Sequence, residues 1–195
     1  MSEVKELLLC VTGASGTIYA GGLLRRAVDP VEQVGLVLTP QGAEVAAHEL
    51  GWAADFDKLE ITGLPAGVME QLRLYHPEDL SSLYAAGVSA PDAVVVIPCT
   101  VGAAARMAAG IGDTVVTRGA AFCLQGRKPL VLVVRETPLS LIDLRNLTAL
   151  TEAGAVIMPA APAFHSGPET IEGLADQFAS EVLDQVGLRV NHPEQ

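Results

Sequence analysis

The sequence predicts a single α/β domain whose doubly wound, mainly parallel sheet forms a three-layer sandwich of Rossmann-like or flavodoxin-like type. Short apolar runs alternate with segments of helical spacing, which is the rhythm of βαβ units. Half of the 195 residues are hydrophobic and only 4% are aromatic. Small aliphatic side chains must therefore fill the interior, as in a sheet covered by helices on both faces. The length suits one domain, residues 1–195.

The predicted elements alternate along most of the chain. The first apolar run ends at Gly13 and is typical of a strand buried on both faces, while Gly154 is typical of a helix C-cap. Strands are expected at 7–12, 34–39, 93–98, 129–134 and 155–158, and helices at 18–28, 40–50, 102–110, 139–154 and 171–187. The pattern weakens over 51–86, where we expect short elements and loops.

Charge and cysteine content restrict the partners and the compartment. A formal net charge of −11 and a pI near 4.7 disfavour nucleic acid and anionic membranes as partners. Cys10, Cys99 and Cys123 have neither C-x-x-C nor metal-ligand spacing, so we expect small apolar side chains in a reducing compartment. The apolar start is too short for a membrane span and lacks a basic flank. The sequence therefore predicts a cytoplasmic protein, with a small anionic ligand still possible.

The loop after the first strand, Gly13-Ala14-Ser15-Gly16, is the first candidate binding site. Ligands of open parallel sheets bind beyond the carboxyl ends of the strands. Small residues at a helix N-terminus leave backbone N–H groups free for an anion, and Ser15 adds a hydroxyl. The alternative is a tight turn that serves packing alone. Because the G-x-G-x-x-G pattern and the P-loop lysine are both absent, NAD and ATP are disfavoured, and we expect another phosphorylated cofactor, with its phosphate on this loop.

Polar residues at the ends of the next two strands are further candidates. Thr39 is the last residue of the second strand, and Thr100 follows the third, where it is either a ligand contact or a helix cap. Arg118 lies among small apolar residues and either reaches a phosphate or carboxylate or remains on the surface.

Charged residues after the fourth strand give the strongest local indication of a functional site. Arg135 and Glu136 directly follow the apolar run 129–134, and a partly desolvated glutamate at a strand end can transfer protons. The alternative is a structural ion pair that caps the following helix. The proline-rich segment 159–165 is expected to form a pocket wall in which His165 is a candidate donor.

Several segments together resemble the UbiX-type flavin prenyltransferases, which share a flavoprotein superfamily with the flavin-containing cysteine decarboxylases. The segments are Val11-Thr12-Gly13-Ala14-Ser15-Gly16, Ser89-Ala90-Pro91, Pro98-Cys99-Thr100, Val134-Arg135-Glu136-Thr137-Pro138-Leu139 and 154–164. Their order and spacing extend over nearly the full chain.

This resemblance implies a fold, an activity and partners. It implies a Rossmann-like homo-oligomer, usually a dodecamer, that binds FMN between subunits and uses no metal. It implies transfer of a dimethylallyl group from a dimethylallyl phosphate-type donor to N5 and C6 of reduced FMN. The prenylated FMN is then passed to a UbiD-type decarboxylase.

The resemblance also implies roles for individual residues. Ser15, Glu49 and Glu136 stand where the family has a hydroxyl and two acid–base glutamates, and Glu136 is the candidate base. Arg118 and Arg135 match arginines at the phosphate-binding end of the site. Together with Arg118, the flavin contacts implied are Gly13, Ala14, Ser15, Thr39 and Thr100.

Three residues depart from the family at the donor phosphate. Gln125, His165 and Glu181 stand in place of a lysine, a tyrosine and an arginine. Two positive charges are lost and a negative one is gained, which predicts weaker binding of the donor phosphate.

Two alternative functions share the fold. One is a non-prenylating flavoprotein that carries or reduces FMN or prenylated FMN, since the departures spare the flavin side. The other is oxidative decarboxylation by a cysteine decarboxylase. Against the second, Pro159-Ala160-Ala161-Pro162 stands in place of the Pro-Ala-Ser-Ala-Asn-Thr-like segment of those enzymes.

Overall fold

A computed structural model describes residues 4–27, 30–65, 67–83, 91–164 and 169–190. Its strands are β1 (Glu6–Val11), β2 (Gln33–Leu38), β3 (Ala53–Asp55), β4 (Glu60–Thr62), β5 (Leu72–Tyr75), β6 (Ala93–Cys99), β7 (Leu130–Val134) and β8 (Val156–Pro159). Six of them form one sheet in the order β5-β2-β1-β6-β7-β8, in which every pairing is parallel. β3 and β4 form a separate antiparallel pair.

Helices cover both faces of this sheet. They are α1 (Thr17–Ala27), α2 (Pro40–Leu50), α3 (Val101–Ala108), α4 (Val115–Gly126), α5 (Leu141–Glu152) and α6 (Ile171–Gln185), and a short 3-10 helix spans Leu80–Leu83. Alternate side chains of β1 point to opposite faces, so Leu7 and Leu9 pack in a core with α1 and α6, while Leu8 and Cys10 pack in a second core with α3 and α4. The predicted doubly wound, three-layer fold is therefore confirmed.

The sequence assigned no bounds to the short elements within 51–86, which include the edge strand β5, and it missed α4. β5 has only four residues at the sheet edge, and Arg73 interrupts its apolar run. α4 occupies part of the segment 112–124 to which no element was assigned. It carries small and apolar residues on most of its surface, which hides the helical period. The remaining predicted strands and helices agree with the structure to within about two residues at each end, the usual uncertainty of element boundaries.

The N-terminal half of α5 exposes unusually large apolar side chains. Leu141, Ile142 and Leu144 are 61%, 69% and 48% exposed. No helix within the described ranges is both long and apolar enough to cross a membrane.

Candidate functional site

The strand order reverses between β1 and β6, and a buried threonine joins the two strands there. The Thr12 hydroxyl donates to the Pro98 carbonyl over 2.8 Å and accepts from the Thr100 N–H over 2.9 Å. Thr12 is only 2% exposed. At such a switch point the loops diverge and leave a crevice for ligands. The sequence predicted Thr12 only as the end of a strand. Its hydroxyl at the end of an apolar run was the one sign that it could join two strands.

A cavity of about 350 Å³ opens beside this junction. Three helices begin at it, each capped by a threonine of its lining. Thr39, Thr100 and Thr114 accept hydrogen bonds from the third N–H groups of α2, α3 and α4. The lining consists of Thr12, Gly13, Thr39, Pro40, Gln41, Thr100, Ala103, Arg106, Thr114, Val116 and Thr117. Each helix N-terminus carries partial positive charge, and the second N–H of each helix, that of Gln41, Gly102 or Val116, has no acceptor among the described residues, so the three termini together favour an anion.

Two glycines allow the loop after β1 to approach the start of α2. A Cβ on Gly13 would lie 2.6 Å from the Cβ of Gln41, and a Cβ on Gly42 would lie 2.3 Å from the Val11 carbonyl oxygen. Both distances are below van der Waals contact. These positions therefore require glycine to keep the cavity in its shape.

The N-terminus of α1, in contrast, is filled by a carboxylate of the protein itself. Glu49, near the end of α2, accepts the N–H of Gly16 at 3.0 and 3.1 Å and the N–H of Thr17 at 2.8 Å. The Thr17 hydroxyl also donates to it, and the Ser15 hydroxyl lies close enough to lower the pKa of the carboxyl. Burial raises the pKa of Glu49, but these four groups outweigh burial and hold the pKa below its usual value. The donors expected to bind a phosphate at Gly16 are thus already engaged.

Glu136 lies on the other side of the switch point. Its carboxylate accepts the N–H of Val101, the first residue of α3, over 2.8 Å, and its side chain is exposed. It does not cap the following helix, because Ser140 does so for α5. Sequence reasoning left the ligand and capping roles of Thr100 open, and the structure shows a cap that also lines the cavity.

The remaining residues of the Gly13 loop differ in exposure. Ala14 is buried and its N–H donates to the Thr12 carbonyl, whereas Ser15 is exposed. Arg135 packs against the same loop, since a Cβ on Gly16 would lie 3.5 Å from its Cγ.

Two arginines reach this edge with a buried nitrogen that has no partner. The Nε atoms of Arg118 and Arg135 are buried without a hydrogen bond among the described residues. Arg118 lies in the first turns of α4, one residue after Thr117, and contacts Gly112. Because an unpaired buried guanidinium nitrogen is costly, both arginines fit a site that receives an anion.

Of the three residues that depart from the family, the two that the structure describes lie away from this site. Gln125 lies two helical turns beyond Thr117, roughly 12 Å along α4. Asp176 on α6 pairs with Arg25, which lies near the end of α1 and so toward the amino-terminal edge of the sheet. Glu181 lies further along α6 than Asp176, so Glu181 also lies toward that edge. His165 lies outside the described residues.

A larger cavity, about 710 Å³, lies at the amino-terminal edge of the sheet, where α4, α5 and α6 end. Helix C-termini carry partial negative charge, which disfavours a phosphate. Lys128 in its lining is already paired with Asp92. The smaller cavity at the switch point is therefore the better candidate for an anionic cofactor.

The fold, the switch-point cavity and the helix N-termini around it define a nucleotide-binding protein of flavodoxin-like type. The sequence profile described as "Flavoprotein" matches residues 1–186. The chain is 34% identical over 190 residues to the flavin prenyltransferase UbiX of Methanothermobacter thermautotrophicus, covering 96% of this chain and 93% of that protein. It is 35% identical to the Pseudomonas aeruginosa UbiX, covering 96% and 92%.

Solved structures show the same relationship. A UbiX-like, FMN-dependent decarboxylase from Escherichia coli O157:H7, described as dodecameric, superposes with a TM-score of 0.81 at 30% identity, covering 97% of this chain and 99% of that one. AnUbiX (PadA1) in complex with FMN and dimethylallyl pyrophosphate gives a TM-score of 0.79 at 30% identity, covering 95% and 94%. This chain belongs to the flavoprotein family and, within it, to the UbiX-type flavin prenyltransferases.

The relatives that carry the alternative functions are more distant. DmrB from Burkholderia xenovorans, described as a cage for redox transfer, is 18% identical with a TM-score of 0.59, and the cysteine decarboxylase TvaF is 18% identical with a TM-score of 0.57. At that distance they share the fold only. The carrier and the cysteine decarboxylase alternatives are therefore not favoured.

Proposed function

We propose that this protein is a flavin prenyltransferase that joins a dimethylallyl group to N5 and C6 of reduced FMN. Its membership of the UbiX-type family carries the proposal. Glu49 and Glu136 support it, since both occupy helix N-termini at the carboxyl edge that also holds the cavity. The product would pass to a UbiD-type decarboxylase.

The flavin is proposed to bind at the switch-point cavity. Gly13, Thr39 and Thr100 line it, and the N-termini of α2 and α3 supply donors for the FMN phosphate. This differs from the expectation that the whole Gly13 loop holds the phosphate, because Glu49 already accepts the N–H of Gly16. Ala14, Ser15 and Arg118 remain proposed flavin contacts.

The two glutamates match the proton changes of the reaction. The first bond forms between N5 and the prenyl carbon as the carbon–oxygen bond to phosphate breaks, phosphate leaves with the electron pair, and N5 loses its proton. The second bond, between C6 and the prenyl group, closes one new ring; this step adds one proton to the alkene and removes one from C6. The second step thus needs an acid and a base. Glu136, held by a single N–H, is the proposed base, and Ser15 with Glu49 is the proposed second proton-transfer group.

The donor phosphate is proposed to bind Arg135 at the same edge. Gln125 and Glu181 are far from this edge within one protomer, so they can contact the donor only from a neighbouring subunit. The proposed homo-oligomer is supported by the dodecameric neighbour and by the exposed apolar side chains Leu141 and Ile142. Sedimentation of the purified protein tests this, and a species near the 20.3 kDa of one chain would contradict it.

A cytoplasmic location remains part of the proposal. It rests on the acidic net charge and on the three cysteines, which are all unpaired and buried.

An anaerobic assay tests the proposed function. The protein is incubated with reduced FMN and either dimethylallyl monophosphate or diphosphate, and the flavin is analysed by mass. We expect a flavin that has gained one dimethylallyl group with at least one donor. Tight FMN binding with no such product from either donor would contradict prenyl transfer and support the carrier alternative.

A further inference from the structure

Helix α1 begins differently from the other helices of the described chain. Helices α2 to α6 each follow a threonine or serine whose side chain accepts an N–H of the first turn; these caps are Thr39, Thr100, Thr114, Ser140 and Thr170. The residue before α1 is Gly16, which has no side chain to serve as a cap. Glu49, thirty-two residues further along the chain than Thr17, supplies the acceptor.

Thr17, the first residue of α1, makes the tightest contacts with this carboxylate. Its hydroxyl donates to Oε2 of Glu49 over 2.7 Å, and its N–H donates to the same oxygen over 2.8 Å. The side chain is completely buried, at 0% exposure. A buried hydroxyl without a partner is costly, and a β-branched side chain in a helix has few rotamers, so this hydroxyl is fixed on Glu49.

The opposite side of the network faces outward. Ser15 is exposed, and its hydroxyl lies close enough to Glu49 to lower the pKa of that carboxyl. A serine that donates to a carboxylate keeps its oxygen lone pairs for a ligand proton, provided that the carboxylate stays in place. The contacts thus run from the buried Thr17, through Glu49, to the exposed Ser15.

We propose that Thr17 is a positioning residue for prenyl transfer: its buried hydroxyl holds the Glu49 carboxylate where Ser15 can donate to it. The proposal rests on the proposed function, in which Ser15 and Glu49 transfer a proton. Burial raises the pKa of Glu49, but the nearby Ser15 and Thr17 hydroxyls and the Gly16 and Thr17 N–H groups outweigh it and keep the pKa low, in agreement with a firmly held, ionised carboxylate.

The Thr17→Val variant tests this, because it removes the hydroxyl and keeps the branched shape. We expect kcat to fall about tenfold, the effect of losing one hydrogen bond to a charged group, while the Kd for FMN stays unchanged. Thr17→Ser should restore most of kcat. In the Glu49→Gln background, Thr17→Val should cause little further loss, since the carboxylate that it positions is absent.

The matched control is Thr151→Val. The Thr151 hydroxyl donates to the Leu147 carbonyl within α5 over 2.9 Å, away from the site, so this variant should leave kcat and FMN affinity unchanged. Wild-type kcat in Thr17→Val would overturn the proposal. Equal losses in the wild-type and Glu49→Gln backgrounds would also overturn it, because a purely structural threonine would act in both.

Thermal melting separates this proposal from the proposed function. The same four proteins form a double-mutant cycle in melting temperature that requires no activity. If the wild type forms no prenylated flavin, the proposed function fails, and the cycle alone decides whether Thr17 acts through Glu49. Coupling between the two residues supports that action, and additive melting shifts exclude it.

Discussion

The N-termini of α1 and α3 lie on either side of the switch point, and each receives a glutamate from elsewhere in the chain. At α1, Glu49 accepts from two backbone N–H groups and the Thr17 hydroxyl, and no local cap is present. At α3, Thr100 is the local cap and Glu136 accepts one N–H, that of Val101.

This difference separates two roles for one kind of side chain. A carboxylate with three donors is held in one place and in its ionised form. A carboxylate with one donor and an exposed side chain can turn toward a ligand and exchange protons with it. The α1 terminus is therefore closed by the protein, while the α3 terminus borders the cavity and binds Glu136 through only one N–H, which leaves the Gly102 N–H for an anion.

The largest expected effect is on the α3 side. Glu136→Gln should keep the acceptor for the Val101 N–H, and so the start of α3, but remove the base. We expect product formation to slow by about 10²- to 10⁴-fold with unchanged FMN affinity. Anaerobic single-turnover assays with reduced FMN and donor measure this.

Glu152→Gln, at the exposed end of α5, is the control for the loss of one negative charge. If Glu136→Gln forms product at the wild-type rate, the base is another group, and Glu49 is the next candidate.

A second pair of variants asks which helix N-terminus holds the FMN phosphate. Thr100→Asp keeps a good N-cap but places a negative charge in the cavity, so FMN should bind at least about a hundredfold more weakly. Thr100→Asn is the neutral control. Ser15→Asp should have a smaller effect, since Glu49 already places a carboxylate at α1.

Titration of each variant with FMN gives the Kd values. If instead Ser15→Asp abolished FMN binding and Thr100→Asp left it intact, the FMN phosphate would be assigned to the Gly13 loop.

The smallest expected effect concerns stability and pH. Because the folded-state pKa of Glu49 lies below its usual value, its ionised form stabilises the fold at neutral pH, and this contribution is lost as the pH falls through the folded-state pKa. Glu49→Gln should therefore lower the melting temperature slightly at pH 7, and the difference should shrink in acid. Thermal melts over a pH series measure it.

Glu44→Gln is the matched control, because Glu44 is exposed on the same helix and makes no hydrogen bond or ion pair with α1 among the described residues. A Glu49→Gln difference that does not change with pH would contradict the role of its ionised form.

The sequence alone determined the architecture and the edge of the sheet at which the site lies. Apolar runs that end at Gly13, Thr39 and Thr100 fixed three central strands, and short-range patterns are enough for this because hydrophobic period and turn residues act locally. The same patterns placed Glu136 at the carboxyl edge. The short edge strand β5 and the small-residue helix α4 were not predicted, since neither has a clear hydrophobic period.

Only the tertiary structure decided how the candidate residues meet. It brought Glu49 onto α1, so that the Gly16 N–H expected for a ligand, and the Thr17 N–H beside it, are engaged by the protein. It also buried Thr12 between β1 and β6 and separated Gln125 from the cavity. These contacts join residues far apart in the chain. They depend on how helices pack across a completed sheet, which no local pattern of residues records.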